Sequence, residues 1–178
     1  MDCSADFMGK IVLAGPVEAG KTNLMVRFAN DAFISTYKPT NGVDFLSKPF
    51  QDRDKNVTFQ IWDTAGAQKF QSIAKVFYRG ARVVVIVFDL SNQSSFEKIS
   101  EFFLTAKQLS EVDTKFILVG NKLDLTRAVA FDEAKAMAQD QGALYLEASA
   151  KDGTGVNKIF EEAFGLVLGL NAKETQTA

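Results

Sequence analysis

Histidine is absent from this sequence, which excludes His-ligated zinc and every triad or general-base scheme built on imidazole. Cysteine occurs once, as Cys3, so there is no internal disulfide and no CxxC metal site, as suits a reducing compartment. No basic block stands out. The 20 Lys and Arg are balanced by 22 Asp and Glu, and nothing tracks a nucleic-acid backbone, so nucleic acid is not expected as a partner. Long hydrophobic runs are lacking too: the longest, Val83 to Phe88, is far too short to span a bilayer. The start, Met1-Asp2-Cys3-Ser4-Ala5-Asp6, is acidic where a secretory signal is basic. A soluble, cytoplasmic protein is expected. The end, Asn171 to Ala178, is polar and carries no cysteine, so no C-a-a-X anchor is expected on this chain.

What is present is the material of one domain. A chain of 178 residues removes roughly 70% of its unfolded surface from water. Apolar runs rich in Val, Ile and Phe recur at 10–14, 57–62, 83–88, 116–119 and 143–146, with helical spacing between most of them. That alternation predicts an α/β fold, a doubly wound, mostly parallel six-stranded sheet with helices on both faces. The runs at 83–88 and 116–119 are apolar on both faces, as central parallel strands are. A hairpin is expected from 43–50 and 56–62, joined by the polar 51–55, which makes one edge strand antiparallel. Helices are expected near 21–30, 94–109, 131–141 and 155–169, with Ser94 and Ser95 available as caps of the second and Asp132 and Glu133 in the first turn of the third. The segments 31–42 and 64–75 read as long loops without pattern, and such loops are usually functional or disordered.

The strongest motif is Gly15-Pro16-Val17-Glu18-Ala19-Gly20-Lys21-Thr22, directly after Ile11-Val12-Leu13-Ala14. Two glycines let the backbone curl so that successive N–H groups face phosphate oxygens, and a helix starting near Gly20 adds its positive dipole end. Lys21 supplies a point charge and Thr22 a hydroxyl for Mg²⁺. Asp63, at a strand tip before Thr64-Ala65-Gly66, offers the hard oxygen such a metal needs. Gly120-Asn121-Lys122-Leu123-Asp124 again ends a buried strand, and Glu147-Ala148-Ser149-Ala150-Lys151 follows. A carboxylate such as Asp124 can accept both N1–H and the exocyclic amine of guanine, whereas adenine has no donor at N1.

With these motifs in this order, the chain resembles the Ras superfamily of small GTPases over about residues 8–170, leaving 1–7 as an N-terminal extension and 171–178 as a tail. Asn41-Gly42-Val43-Asp44-Phe45, Phe59-Gln60-Ile61-Trp62, Lys69-Phe70-Gln71-Ser72-Ile73, Phe77-Tyr78-Arg79-Gly80-Ala81 and Ile86-Val87-Phe88-Asp89-Leu90 look like the Rab branch. The resemblance implies a GTP/GDP switch requiring Mg²⁺, acting in vesicle traffic. It gives Gly15, Val17, Glu18, Ala19, Gly20, Lys21, Thr22, Asn23 and Tyr37 to nucleotide binding. Lys21 would meet the β- and γ-phosphates, Thr22 and Thr40 would ligate Mg²⁺ directly, and Asp63 would hold it through water. Gly66 would donate to the γ-phosphate, so that its loop and the loop around Thr40 order with GTP. Phe33 would cover the guanine face, Asn121 and Asp124 would read it, Lys122 would lie along it, and Ala150 N–H would meet its oxygen, braced by Ser149 and Lys151.

For effectors the resemblance points to Asn41, Gly42, Val43, Asp44 and Phe45, with Phe45, Trp62 and Phe77 as an aromatic trio. It also implies an exchange factor, a GTPase-activating protein, a monomeric state, and membrane attachment only through a lipidated tail that this chain lacks. Plainer readings stand beside these: Trp62 and Phe33 as core aromatics, Glu161 and Glu162 as a solvated helix face, and Phe102, Phe103, Phe160 and Phe164 as core.

Several residues depart from the family pattern. Ala67 stands where a glutamine orients the attacking water, and the loss of one positioned partner raises the barrier by about 3 kcal/mol. Gln68 reaches inward only if the loop shifts register by one. Val17 falls where a small residue is usual and crowds the space of the water and of an activator's arginine. Glu18 places a carboxylate near phosphate, about 2 kcal/mol of repulsion at about 8 Å and an effective dielectric near 20, less if it faces solvent. Pro16 lacks an N–H, and Asn41 replaces an apolar residue. Slow GTP hydrolysis is therefore expected. The rivals are a non-hydrolysing nucleotide-bound interaction module and an ATP-dependent phosphotransferase, the latter disfavoured by Asn121 and Asp124.

Overall fold

A computed structural model describes residues 7–36, 44–52, 55–64 and 71–169. In chain order these form β1 (Phe7–Ala14), α1 (Lys21–Asn30), β2 (Asp44–Asp52), β3 (Lys55–Asp63), α2 (Gln71–Tyr78), β4 (Ala81–Asp89), α3 (Gln93–Glu97), α4 (Ile99–Leu109), β5 (Lys115–Asn121), α5 (Phe131–Asp140), β6 (Leu144–Glu147) and α6 (Val156–Leu168). The strands make one sheet in the order β2-β3-β1-β4-β5-β6. All neighbours run parallel except β2 with β3. Pro49 is accommodated because β2 is an edge strand, where a missing N–H breaks no central ladder.

The period-two alternation of the central strands sorts their side chains into two cores. Ile11, Leu13, Val83, Val85, Val87, Ile117 and Val119 face α1 and α6, where Leu24, Ile159, Phe160 and Phe164 complete the packing. Val12, Val84, Ile86, Phe88 and Leu118 face the other way and are covered by Ile99, Phe102 and Phe103 of α4 and by Ala134 and Ala138 of α5. Burial on both sides is why these strands read as continuous apolar runs. Phe28 stacks on Phe160 at 4.1 Å, and Phe59 on Phe164 at 3.8 Å. Glu161 is exposed, on the opposite face of α6.

Four expectations are corrected. The helix expected over 94–109 is two, α3 and α4, which meet at Lys98. Its cap is Asn92, whose side chain accepts from Ser95 N–H at 3.3 Å; Ser95 instead uses its hydroxyl to accept from Asp89 N–H. The hairpin pairs as far as Asp52 with Lys55, so residues expected in its connection are in the strands: an edge ladder does not need apolar side chains. Finally, α2 starts inside the segment read as loop. It has only eight residues and presents Phe77 and Tyr78 to the core while Val76 stays exposed, too short a pattern to show a helical period.

Candidate functional site

The chain leaves β1, the point where strand order reverses, and turns through Gly15 to Gly20 into α1. Ligands of open α/β sheets bind in the crevice beyond such a reversal. Both glycines are required by more than curvature. Gly15 has φ 141°, and a Cβ there would sit 2.1 Å from Val87 O; Gly20 has φ 90°, and its Cβ would meet Asn121 Nδ2 at 2.3 Å. Helix α1 has no side-chain cap and no acid in its first turn. The positive end of its dipole therefore faces the loop without a neighbouring carboxylate from its own first turn, an arrangement that suits an anion.

Lys21 is only 5% exposed, and its Nζ donates to the carbonyls of Gly15 and Pro16 at 2.8 Å each. Burial pulls its pKa down to about 8, against the opposing pull of Asp63. Asp63 is fully buried at the end of β3 and accepts a short hydrogen bond from the Thr22 hydroxyl on Oδ2. Its Oδ1 is the buried side-chain polar atom among the described residues that finds no partner. Burial pushes the Asp63 carboxyl up, offset only in part by Thr22 and Lys21. A buried ammonium held by neutral carbonyls, beside an orphaned carboxylate oxygen, is costly unless something charged completes the site. The donor set fits phosphate on Lys21 and Mg²⁺ near Thr22 and Asp63: the hydroxyl and carboxylate are hard oxygens, and Mg²⁺ takes few protein ligands.

Val17 and Glu18 form the rim of this loop, both exposed, with Val17 at 63%. Glu18 has φ 66°, the left-handed region that a non-glycine residue enters at a cost of about 1 kcal/mol. Its solvent exposure shrinks the repulsion expected from the sequence, since water screens the carboxylate. The Asn23 side chain, also expected at the nucleotide, instead holds the segment after α1: Oδ1 accepts from Ile34 N–H at 2.9 Å and Nδ2 donates to Ile34 O at 3.2 Å. Phe33, in that segment, is 40% exposed and so is not a core aromatic.

Across the crevice, Asn121 ends β5 with 1% exposure, donates from Nδ2 to Ala19 O at 2.8 Å, and accepts from Ala150 N–H at 3.2 Å. It therefore links the phosphate loop to the loop at 149–151, and the Ala150 N–H expected on guanine meets Asn121 here. Asp124 accepts from the Ser149 hydroxyl at 2.7 Å, with Lys151 Nζ 3.9 Å away. Lys122 has φ 65°, and its Nζ meets Asp89 Oδ2 at 2.6 Å. Burial raises the Asp89 carboxyl, but the bonds from Lys122 and Ser91 more than offset this and hold it below the usual range.

Sequence reasoning gave Asp89 no role. The available signal was the one used for Asp63, a carboxylate at the tip of a buried strand. No sequence signal marks Arg27, whose guanidinium reaches the 150–151 backbone from α1. The same is true of Arg127, bidentate to Glu147 at 2.8 and 2.7 Å.

On the β2 side, Phe45 lies opposite Trp62 with ring centroids 5.3 Å apart, and Trp62 lies 6.3 Å from Phe77. The trio forms a row running from exposed Phe45 through half-buried Trp62 to buried Phe77. Lys10 reaches it from β1: its Nζ is 4.6 Å from the Trp62 ring and donates to Val76 O and Arg79 O at the end of α2. Tyr37, Thr40, Asn41, Gly42, Val43, Gly66, Ala67 and Gln68 lie outside the described residues.

Comparison with known proteins matches the Ras family over residues 10–168. The chain is 42% identical to Ras-related protein Rab7A of Mesembryanthemum crystallinum, over 85% of this chain and 78% of the relative. It is 41% identical to Ras-related protein Rab-4 of Dictyostelium discoideum, over 86% and 76%. Similarity at 37% extends to the GTP-binding protein YPTM2 of Zea mays, over 90% and 80%.

Proposed function

Because this chain belongs to the Ras family of small GTPases and is Rab-like, we propose that it is a Mg²⁺-dependent GTP/GDP switch with slow hydrolysis, serving vesicle traffic. The observation that carries this reading is buried Lys21 beside the orphaned Oδ1 of Asp63, facing Asn121 and Asp124 across one crevice. Lys21 and the first N–H groups of α1 would hold the phosphates. Asn121 and Asp124 would select guanine, with Lys122 fixed in place by Asp89. Thr22 and Thr40 would ligate Mg²⁺ directly and Asp63 through a water, and the metal would neutralise charge on the phosphate oxygens. The switch domain would span 8–170, flanked by an extension at 1–7 and a tail at 171–178.

Slow cleavage follows from Ala67, which offers no donor or acceptor to a water, and from Val17, whose branched side chain stands at the loop's rim. Exchange factors, GTPase-activating proteins and effectors meeting Phe45, Trp62 and Phe77 would be the partners of a cytoplasmic monomer. Attachment to a membrane would need a lipidated tail; no helix among the described residues is long and apolar enough to cross one.

Those same two residues favour a second reading, a nucleotide-bound module that does not hydrolyse and acts as a scaffold. Single-turnover GTP cleavage with and without a Rab activator separates them. Slow cleavage, accelerated by activator, is expected; no cleavage in either condition would establish the scaffold.

A further inference from the structure

Arg27 lies in the last turn of α1, where a basic side chain ordinarily serves the helix dipole. Its guanidinium also reaches across the chain. Nε donates to Ala150 O at 2.9 Å and Nη2 to Lys151 O at 2.5 Å, while Nη1 donates to Asp31 O and Oδ1 at 2.8 and 2.9 Å. The side chain is 15% exposed, so most of it is out of water. A Cβ on Gly153 would lie 3.8 Å from Arg27 Cδ, so the arginine stem runs close under that turn. Asp31, 93% exposed, adds little energy as an ion partner but orients the fork.

We propose that Arg27 is a positioning residue for guanine recognition, tying the helix that carries Lys21 and Thr22 to the loop that carries the Ala150 N–H. The proposal rests on the guanine-nucleotide reading above. Arg27 follows Lys21 by six residues, about 9 Å along a helix, so one rigid rod has the phosphate-binding residues at its start and the base loop at its end. The loop's other bonds are largely its own: Ser149 N–H to Thr154 O and Gly153 N–H to Ser149 O close the turn without anchoring it. Other anchors are Asn121, which accepts from Ala150 at 3.2 Å, Asp124, bonded to Ser149 with Lys151 Nζ 3.9 Å away, and, just before the loop, Ala148, whose N–H and carbonyl pair with Gly120 O and Leu123 N–H. Arg27 differs from these in coming from the helix that carries Lys21. Removing the guanidinium strips two carbonyls of a charged donor and leaves Ala150 to Asn121, itself needed at the base. A planar fork serves the two carbonyls from two separate N–H groups held in fixed geometry, a preorganisation that the single ammonium of a lysine on its flexible stem lacks.

The test is GDP release from wild-type, Arg27→Ala and Arg27→Lys proteins, with GDP and ADP affinities measured by competition against fluorescent GDP. Arg27→Ala is expected to release GDP about tenfold faster, and Arg27→Lys to fall between it and wild type. The preference for GDP over ADP should drop with it, because the two nucleotides share their phosphates and differ at the base. A merely structural role lowers both affinities alike and leaves that preference unchanged. Unaltered release, or faster release with an unaltered GDP/ADP preference, overturns the proposal. Should Arg27→Ala fail to fold, Arg27→Lys and Arg27→Gln supply the same comparison, with the same outcomes supporting or overturning the role. A wild-type protein that does not bind GDP overturns the guanine reading itself, and this proposal with it.

Discussion

Lys21 sets the character of the phosphate loop. An ammonium with a folded-state pKa near 8 and an unfolded value near 10.5 favours the neutral form on folding. It costs stability below pH 8, and the cost is relieved as pH rises from 8 towards 10.5. An anion reverses that preference and restores the proton. GDP binding at pH 8.5 is therefore expected to take up protons, read by calorimetry in buffers of different ionisation enthalpy, and Lys21→Ala should lose both the uptake and most of the affinity. Uptake that persists in the alanine variant would assign it to another group. Val17, on the rim, is expected to act on turnover instead. Val17→Gly should raise activator-stimulated hydrolysis more than intrinsic hydrolysis, because an entering arginine needs more room than a water; the opposite ordering would contradict a steric role.

At the scale of elements, caps and contacts between neighbours decide geometry that residue types alone leave open. Asn92 caps α3 in place of Ser94 or Ser95 because the chain leaves β4 through Asp89, whose N–H and carboxylate draw Ser95 and Ser91 into their own bonds. Asn92→Ala is expected to cost about 1 kcal/mol in urea-denaturation free energy; a loss within error would mean that Ser95 N–H finds another acceptor. Helix α2 shows the complementary case. Two buried aromatics and the carbonyls of Val76 and Arg79, bonded by Lys10, hold eight residues in a helix that their own period does not announce. The same lysine over Trp62 joins the end of α2 to the aromatic row. Only three-dimensional proximity places a β1 residue there, because 66 positions separate Lys10 from Val76.

For the whole molecule, the reversal of strand order beside β1 brings the ends of β1, β3, β4 and β5 to one crevice. Gly15 against Val87, Gly20 against Asn121, and Asn121 against Ala19 stitch those ends together. The candidate nucleotide site is thus built on the rim of the core, and its occupancy is expected to be felt by the entire fold. A ligand that binds only the folded state raises stability by about 4 kcal/mol at a thousandfold excess over its Kd. GDP with Mg²⁺ is expected to raise the melting temperature, and chelating the metal with EDTA should lower it and speed GDP release. An EDTA-insensitive complex would remove the metal from the reading of Thr22 and Asp63.

Sequence alone determined what depends on local spacing. The α/β alternation was legible because helices repeat at 3.6 residues and strands at two, and Phe160 and Phe164 announced the core face of α6 in the same way. Family membership and the candidate nucleotide residues were legible because the phosphate loop and the two base motifs each lie within a few consecutive positions. Tertiary structure decided what depends on contact between distant positions. It buried Lys21 and orphaned Asp63 Oδ1, turned Asn23 towards Ile34, paired Lys122 with Asp89, and brought Arg27 to Ala150 across 123 positions. Those arrangements arise from close packing and desolvation, which act between surfaces that meet only when the sheet is assembled.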